Sequence, residues 1–261
     1  MAIQKTEALV LRTQPFRTSS LIVTVFSRSF GKVKGVVKGV RQEGAGRPSA
    51  FEPFTLLEVI YYEKLRSDLH LISEFEILET FNLLSANLQT LATAYYLTEL
   101  VDQLTELHDP HEKLFDLLYF SYRILPTVSA LLLARYFEIR ILLEIGLLPH
   151  LQDCLVCGGE VSEKVYLSSR QGGALCSGCA KKFQDARRVM PETIETLRHF
   201  ASETDAAEAV KRQVSEKAQK EIGKRMEGFI LERTGKKLSS RRFLSQVEAL
   251  HCLNWPPGGP I

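Results

Sequence analysis

Long apolar runs are missing from this sequence. The longest candidate is interrupted by Arg135, Glu138, Arg140 and Glu144, short of the ~18 apolar residues that cross a bilayer. A secretory leader is missing too. Met1–Phe26 carries Lys5, Glu7, Arg12 and Arg17 and no apolar h-region, so a reducing, cytoplasmic location is the expectation. No Gly-x-x-x-x-Gly-Lys-Ser/Thr loop cradles phosphates, which argues against ATP hydrolysis. Neither a Gly-x-Ser-x-Gly elbow nor a His-Glu-x-x-His helix is present. The six histidines are scattered, and His108 and His111 flank a helix junction, where capping or solvation is the simpler role. Acidic residues are spread along predicted helix surfaces instead of paired. Internal repeats are absent. Together these gaps favour binding over catalysis.

Cysteine is scarce, and its placement is informative. Four of the five cysteines form two Cys-x-x-Cys pairs, Cys154/Cys157 and Cys176/Cys179, with 18 residues between the pairs. That spacing suits four thiolates around one Zn²⁺ ion. Gly158, Gly159 and Gly178 allow backbone N–H groups to turn toward the sulfurs. Lys164–Ser168 reads as a short strand and Gly172–Gly173 as a turn, so the insert reads as a small ribbon. Disulfides, a redox pair and an iron–sulfur cluster are the competing readings; the first needs an oxidising compartment, and redox Cys-x-x-Cys motifs normally occur singly. Four cysteines leave no open position for water, so a zinc ion at this site is expected to be structural rather than catalytic. Cys252 stands alone and reads as a small hydrophobe.

Net charge is only +2, but the sum conceals a division. Residues 1–50 hold nine Lys/Arg against Glu7 and Glu43, a balance of +7. Residues 51–150 hold six basic and fifteen acidic residues, −9, and the remainder stands at +4. A basic N-terminal module suggests a polyanion site there. That module reads as five strands: Thr6–Arg12, Ser20–Ser27, Lys32–Val40, Phe54–Tyr62 and Leu69–Ile77. Five short strands with at most one short helix between them predict a small closed barrel. In the third, Lys32, Lys34 and Lys38 share one face, and Val33 and Val37 the other, with Gly35 and Gly39 on the valine side. Arg41 and Arg47 extend the charge into a loop made flexible by Gly44 and Gly46. In the fifth strand, Leu69, Leu71, Phe75 and Ile77 are expected on one face, opposite His70, Glu74 and Glu76. A basic barrel face with aromatic rings suits single-stranded nucleic acid, phosphates on cations and bases on rings. Candidate rings are Phe16, Phe26, Phe30, Phe51 and Tyr61, with Phe16 beside Arg17 and Phe51 near Arg47 the better placed.

From Phe81 the hydrophobic period becomes helical. Helices are expected over 83–106, over 111–125 where Pro126 ends it, and over 127–148, the last apolar on nearly every side and so the centre of a bundle. After the ribbon come a short helix from Pro191 to about Ala201, a long one from Asp205 to Thr234 capped by Gly235, and a final one, Ser239–His251. The implied organisation is a barrel at 1–80, a bundle begun at 81–150, the ribbon at 151–189, the rest of the bundle at 190–252 and a Pro/Gly tail at 253–261. The fold class is therefore α+β, multidomain.

The order of these parts resembles the bacterial RecO family of DNA repair proteins. Lys5-Thr-Glu-Ala-Leu-Val-Leu-Arg12 is similar to that family's first strand, and Gly31-Lys-Val-Lys-Gly-Val-Val-Lys-Gly-Val-Arg41 to its basic strand. The stretch from Ala134 to Pro149 running into Cys154-Leu-Val-Cys-Gly158 is similar to its most distinctive segment, and Leu238-Ser-Ser-Arg-Arg-Phe-Leu244 to its end. The resemblance implies an oligonucleotide-binding (OB) barrel, binding of single- and double-stranded DNA, and annealing of complementary strands without a catalytic residue. It implies partnership with RecR and, in many bacteria, RecF, in loading RecA onto DNA coated by single-strand binding protein, whose C-terminal tail is contacted. By position it assigns Arg12, Lys32, Lys34, Lys38 and Arg41 to DNA, with Arg17 and Arg47 beside them, and Cys154, Cys157, Cys176 and Cys179 to zinc. For an acidic tail, Arg123, Arg135 and Arg140 are the basic residues the bundle offers. Two other readings stay open: a zinc-ribbon adaptor between proteins in transcription or translation, and a nucleic-acid-processing metalloenzyme.

Overall fold

The computed structural model describes residues 2–40, 48–64, 66–161 and 164–251. These residues form two compact units, one made of 1–126 with 238–261 and the other of 127–237. The helices expected as one bundle are thus divided between the two.

The first unit is built on a closed five-stranded barrel: β1 (Ile3–Phe16), β2 (Ser20–Ser27), β3 (Gly31–Val37), β4 (Thr55–Tyr62) and β5 (Leu69–Thr80). The strand order is β1-β2-β3-β5-β4, with β4 returning to β1 and β3 parallel to β5. This is the OB arrangement, and closure removes the open edges a five-stranded sheet would expose. Ala8, Val10, Leu21, Val23, Val25, Val33, Val37, Leu57, Val59, Tyr61 and Ile72 fill the interior. Gly35 lies between Val33 and Val37 because a Cβ there would stand 2.5 Å from the Ile72 side chain.

The face of β5 departs from simple alternation. Tyr61 pairs with Ile72 and Ile60 with Glu74, so Ser73 is an extra residue whose hydroxyl donates to the Ile60 carbonyl at 3.1 Å. This bulge switches the inward parity. His70 and Ile72 point inward before it, Phe75 packs on the core after it, and Ile77 is left exposed. Leu69 and Leu71, expected on the same face as Phe75, therefore lie on the opposite one.

Helix α1 (Leu88–Leu104) begins at Asn87, whose side chain accepts the Thr90 N–H at 2.8 Å. Together with α2 (Glu112–Ile124) it covers part of the barrel's outside. That is why β2 is buried on both faces: Phe26 turns outward and its ring lies 6.4 Å from Phe115. Arg28 reinforces the contact, its guanidinium 4.5 Å from the Phe115 ring and paired with Glu7 and Asp116. Helix α8 (Ser239–His251) packs on α1 through Leu244 and Val247. The Glu99 carboxylate accepts the Ser239 and Ser240 N–H groups at its start, where a negative charge offsets the helix dipole.

The second unit centres on α3 (Ala130–Glu144), buried on every side as its composition predicts. Its charges are consumed internally. Arg135 and Glu138 pair at 2.5 Å inside the unit, and Arg140 donates to the Ala201 and Glu203 carbonyls and to Glu144. The ribbon follows, with strands β6 (Val165–Ser168), β7 (Gly173–Leu175), the short α4 (Ser177–Ala180) and β8 (Arg187–Val189). Then α5 (Pro191–Ser202) and α7 (Glu216–Thr234) pack on α3. The long helix expected from Asp205 to Thr234 is broken: one turn, α6 (Ala206–Ala209), precedes α7. The break is stabilised by side chains. Ser215 accepts from the Ala218 N–H as the α7 cap, while Glu192 accepts its N–H at 2.7 Å and its hydroxyl at 2.6 Å. Gly235, at φ 67°, ends α7 in the left-handed conformation.

Candidate nucleic-acid interface and metal centre

Two places gather chemically active side chains. The first is a groove on the barrel of about 400 Å³, lined by Arg12 and Gln14 of β1, Ile22 and Thr24 of β2, Lys34 of β3, and Ser67, Asp68 and Leu69 at the entry to β5. β1–β2 and β2–β3 pairing places these side chains side by side: Gln14 is opposite Ile22, and Thr24 opposite Lys34. Lys34 is half-buried, and Arg12 keeps 40% of its side chain exposed while its Nε lies 3.0 Å from Asp102.

Lys32, expected on the same basic face, is withdrawn from it. Its parity is as predicted, but the outer face of β3 is covered at this point by the end of α1. Its Nζ donates to the Asp102 carbonyl at 2.5 Å and the Thr105 carbonyl at 2.7 Å, and lies 3.6 Å from the Asp102 carboxylate. Burial lowers its pKa even against the pull of Asp102. The ammonium thus caps carbonyls that the last turn of α1 leaves without helical partners. Arg17 sits outside the groove at the β1–β2 turn, at φ 54° and 5.3 Å from the Phe16 ring. Lys38 is exposed just beyond β3. Arg41 and Arg47 lie outside the described residues. Of the candidate rings, Phe26, Phe51 and Tyr61 are core residues and Phe30 packs edge-on to Tyr61, which leaves Phe16. Arg135 and Arg140, offered as a basic spot for an acidic tail, are enclosed by the partners given above; Arg123 remains exposed beside Glu79. The sequence reading passed over Lys64 and Arg66, both exposed in the loop between β4 and β5.

The second place is the ribbon. The sulfur atoms of Cys154, Cys157, Cys176 and Cys179 all lie within 4.8 Å of one another, and those of Cys157 and Cys176 are 3.9 Å apart. Sulfurs about 2.3 Å from a tetrahedral zinc ion stand about 3.8 Å apart, so the four thiols fit the ion. The first knuckle is closed by two hydrogen bonds, from the Gly158 N–H to the Cys154 carbonyl and from the Cys154 N–H to the Gly159 carbonyl, each 2.8 Å. Gly158 turns at φ 66° to allow this. In the second, the Cys176 sulfur accepts the Cys179 N–H at 3.5 Å. Burial alone would raise the Cys154 thiol, but the Cys176, Cys157 and Val156 amides lower it, whereas Cys179, crowded by the sulfurs of Cys176 and Cys157, is raised. No second group of three or more metal-ligating side chains occurs among the described residues.

Residues 1–81 match the family model for the N-terminal part of recombination protein O, and residues 85–242 that for its C-terminal part. The chain belongs to the RecO family. DNA repair protein RecO of Anaeromyxobacter dehalogenans strain 2CP-C is 32% identical over 251 residues, covering 94% of this chain and 97% of that protein. The RecO of Desulforamulus reducens is 30% identical over 249 residues, covering 95% and 96%, and that of Shouchella clausii 30% identical over 257 residues, covering 97% and 98%. The two RecO models meet within the short segment between barrel and α1, so the family's N-terminal part coincides with the OB barrel. No described helix is long and apolar enough to cross a membrane.

Proposed function

We propose that this chain is a non-enzymatic DNA-binding recombination mediator of the RecF pathway, working in the bacterial cytoplasm at the nucleoid. Its substrates are single- and double-stranded DNA. It anneals complementary strands and, with RecR and in some bacteria RecF, helps RecA load onto DNA coated by single-strand binding protein, whose C-terminal tail it contacts. The observation that carries this reading is the groove in which Lys34 and Arg12 share one wall of an OB barrel, in a chain whose residues 1–81 and 85–242 match the two RecO family models. The cations Arg12, Arg17, Lys34 and Lys38 neutralise phosphates of two strands and lower the repulsion that opposes pairing. Arg41 and Arg47 belong to the same proposed set. The tail contact concentrates the protein on coated DNA by linkage. Cys154, Cys157, Cys176 and Cys179 hold a structural Zn²⁺ that supplies folding energy to the ribbon and no chemistry.

Salt dependence tests the groove. Six phosphate contacts on a single strand give a slope of log K against log salt of about −4. Lys34→Glu should weaken binding to oligo-dT and flatten that slope by about one contact's share. A slope near zero, or one unchanged by Lys34→Glu, would assign the groove to something other than DNA.

A further inference from the structure

His70 and His108 come from elements far apart in sequence, and their Nε2 atoms lie 3.3 Å apart. His70 is the second residue of β5 and is 2% exposed; His108 lies between α1 and α2 and is exposed. Two imidazoles can share such a contact only if one nitrogen donates and the other accepts. The backbone decides which. The Lys64 N–H donates to His70 Nδ1 at 3.1 Å, so Nδ1 carries no proton. Neutral His70 therefore carries its proton on Nε2 and donates to His108, whose Nε2 is bare. A proton added to His108 sets two N–H groups head to head. One added to His70 sets its Nδ1–H against the Lys64 N–H. Either event costs a hydrogen bond. The same tautomer argues against a metal between the rings, because it would leave His70 with neither nitrogen protonated.

The pair sits where two segments are tied to the barrel. On one side Lys64 lies in the β4–β5 loop, whose Ser67 and Asp68 line the groove with Leu69 at the start of β5. On the other, the His108 N–H donates to the Lys32 carbonyl at 3.0 Å and His108 is held at φ 59°. Gly31, at φ 65°, makes room for this segment; a Cβ there would lie 2.0 Å from the Asp109 carbonyl oxygen.

We propose that His70 and His108 form a proton-operated latch: while neutral they hold the β4–β5 loop against the 107–109 segment, and on taking up a proton they release the loop wall of the groove. The regulatory half of this inference rests on the nucleic-acid reading given above; the latch itself does not. The titratable groups facing the pair are Tyr61 of β4 and Glu63, Lys64 and Asp68 of the loop. Tyr61 stacks on His70 with centroids 5.4 Å apart and, pushed up to about 12 by burial, stays a neutral phenol. Glu63 and Asp68 favour a charged His70, but burial, and then His108, outweigh them and lower its pKa. A released His70 regains an ordinary value near 6.5, so opening grows as pH falls below about 6.5 and levels off below the folded-state value.

The test is hydrogen exchange of the amides at 64 and 66–69 in the full chain, corrected for intrinsic rates, at about pH 7.5 and about pH 5.5. One unit of effective titration corresponds to about tenfold more opening of the loop at the lower pH. Amides of β1 and β2 should not follow. In H70N/H108Q, where amides replace both rings, the loop should lose its pH response. An unchanged loop in the wild type, or a response that persists in the double variant, would overturn the latch. Should the double variant not fold, the wild-type comparison of the loop with β1 and β2 decides alone. Oligo-dT binding read in parallel separates the two claims. Affinity up to tenfold lower at about pH 5.5 relative to the double variant supports regulation of the groove. Equal affinity with an open loop refutes regulation. Loop opening without DNA binding at either pH leaves the latch standing and removes the nucleic-acid reading.

Discussion

Lys32 and Lys34 stand two residues apart on one face of β3, and the structure gives them opposite roles. Replacing Lys32 by Met keeps most of the stem but deletes the ammonium. Two hydrogen bonds from a charged donor are lost, at 2.5 and 2.7 Å, and the Asp102 and Thr105 carbonyls at the end of α1 are left without them. Hydrogen bonds of this kind contribute about 1.5–3 kcal/mol each and do not add fully. Part of the loss is offset because a partly desolvated ammonium no longer has to be buried. A net cost of about 2–3 kcal/mol is expected, a fall of about 5–10 °C in the Tm of the first unit. Lys34→Met removes a half-buried cation of the groove, so its stability should stay within about 0.5 kcal/mol while its affinity for oligo-dT falls. Thermal denaturation and fluorescence anisotropy on the same samples read both effects. Normal stability with impaired DNA binding in K32M would return Lys32 to the interface and refute the capping argument.

Other substitutions probe the remaining supports. Gly31→Ala forces a Cβ into the Asp109 carbonyl at positive φ; it should cost at least about 1–3 kcal/mol and raise amide exchange at His108, which donates to Lys32. Glu138→Ala leaves Arg135 buried without that carboxylate and should destabilise the second unit by about 3–5 kcal/mol in urea titration, with much of the loss recovered in R135M/E138A. Cys154→Ser with Cys157→Ser should drop the zinc content of purified protein from one equivalent to none and unfold the ribbon, while the barrel's exchange-protected amides stay protected. Loss of protection in the barrel instead would mean that the metal supports more than its own module.

Elements set by local pattern were legible in the sequence, and those set by distant partners were not. The five strands lie within a few residues of their expected places because β-branched runs and turn clusters alternate cleanly. The cysteine grouping followed from spacing alone. The parity of β5 did not, because the bulge at Ser73 is imposed by pairing with β4 and leaves no mark in an alternating run. Lys32 looked equivalent to Lys34 because the carbonyls that hold it come from residues about seventy positions away. The break before α7 depends on Glu192, a residue of another helix, whereas helical periodicity continues through the gap. The burial of Arg135 and Arg140 carried a readable signal. Glu138 and Glu144 follow them at i+3 and i+4 on a helix otherwise apolar all round, where a charge must find an internal partner. His108 was read as a cap or a solvated residue; only the fold brings it to His70.

Mediation on coated DNA can be followed in a single annealing experiment. Two complementary oligonucleotides, each coated with the cognate single-strand binding protein, are mixed without ATP, and duplex formation is followed with and without stoichiometric protein. The wild-type chain should accelerate duplex formation, and K34E/K38E should not, at unchanged Tm. No acceleration, together with no binding to bare strands at low salt, would contradict it and leave the four-cysteine ribbon as part of a protein-only adaptor.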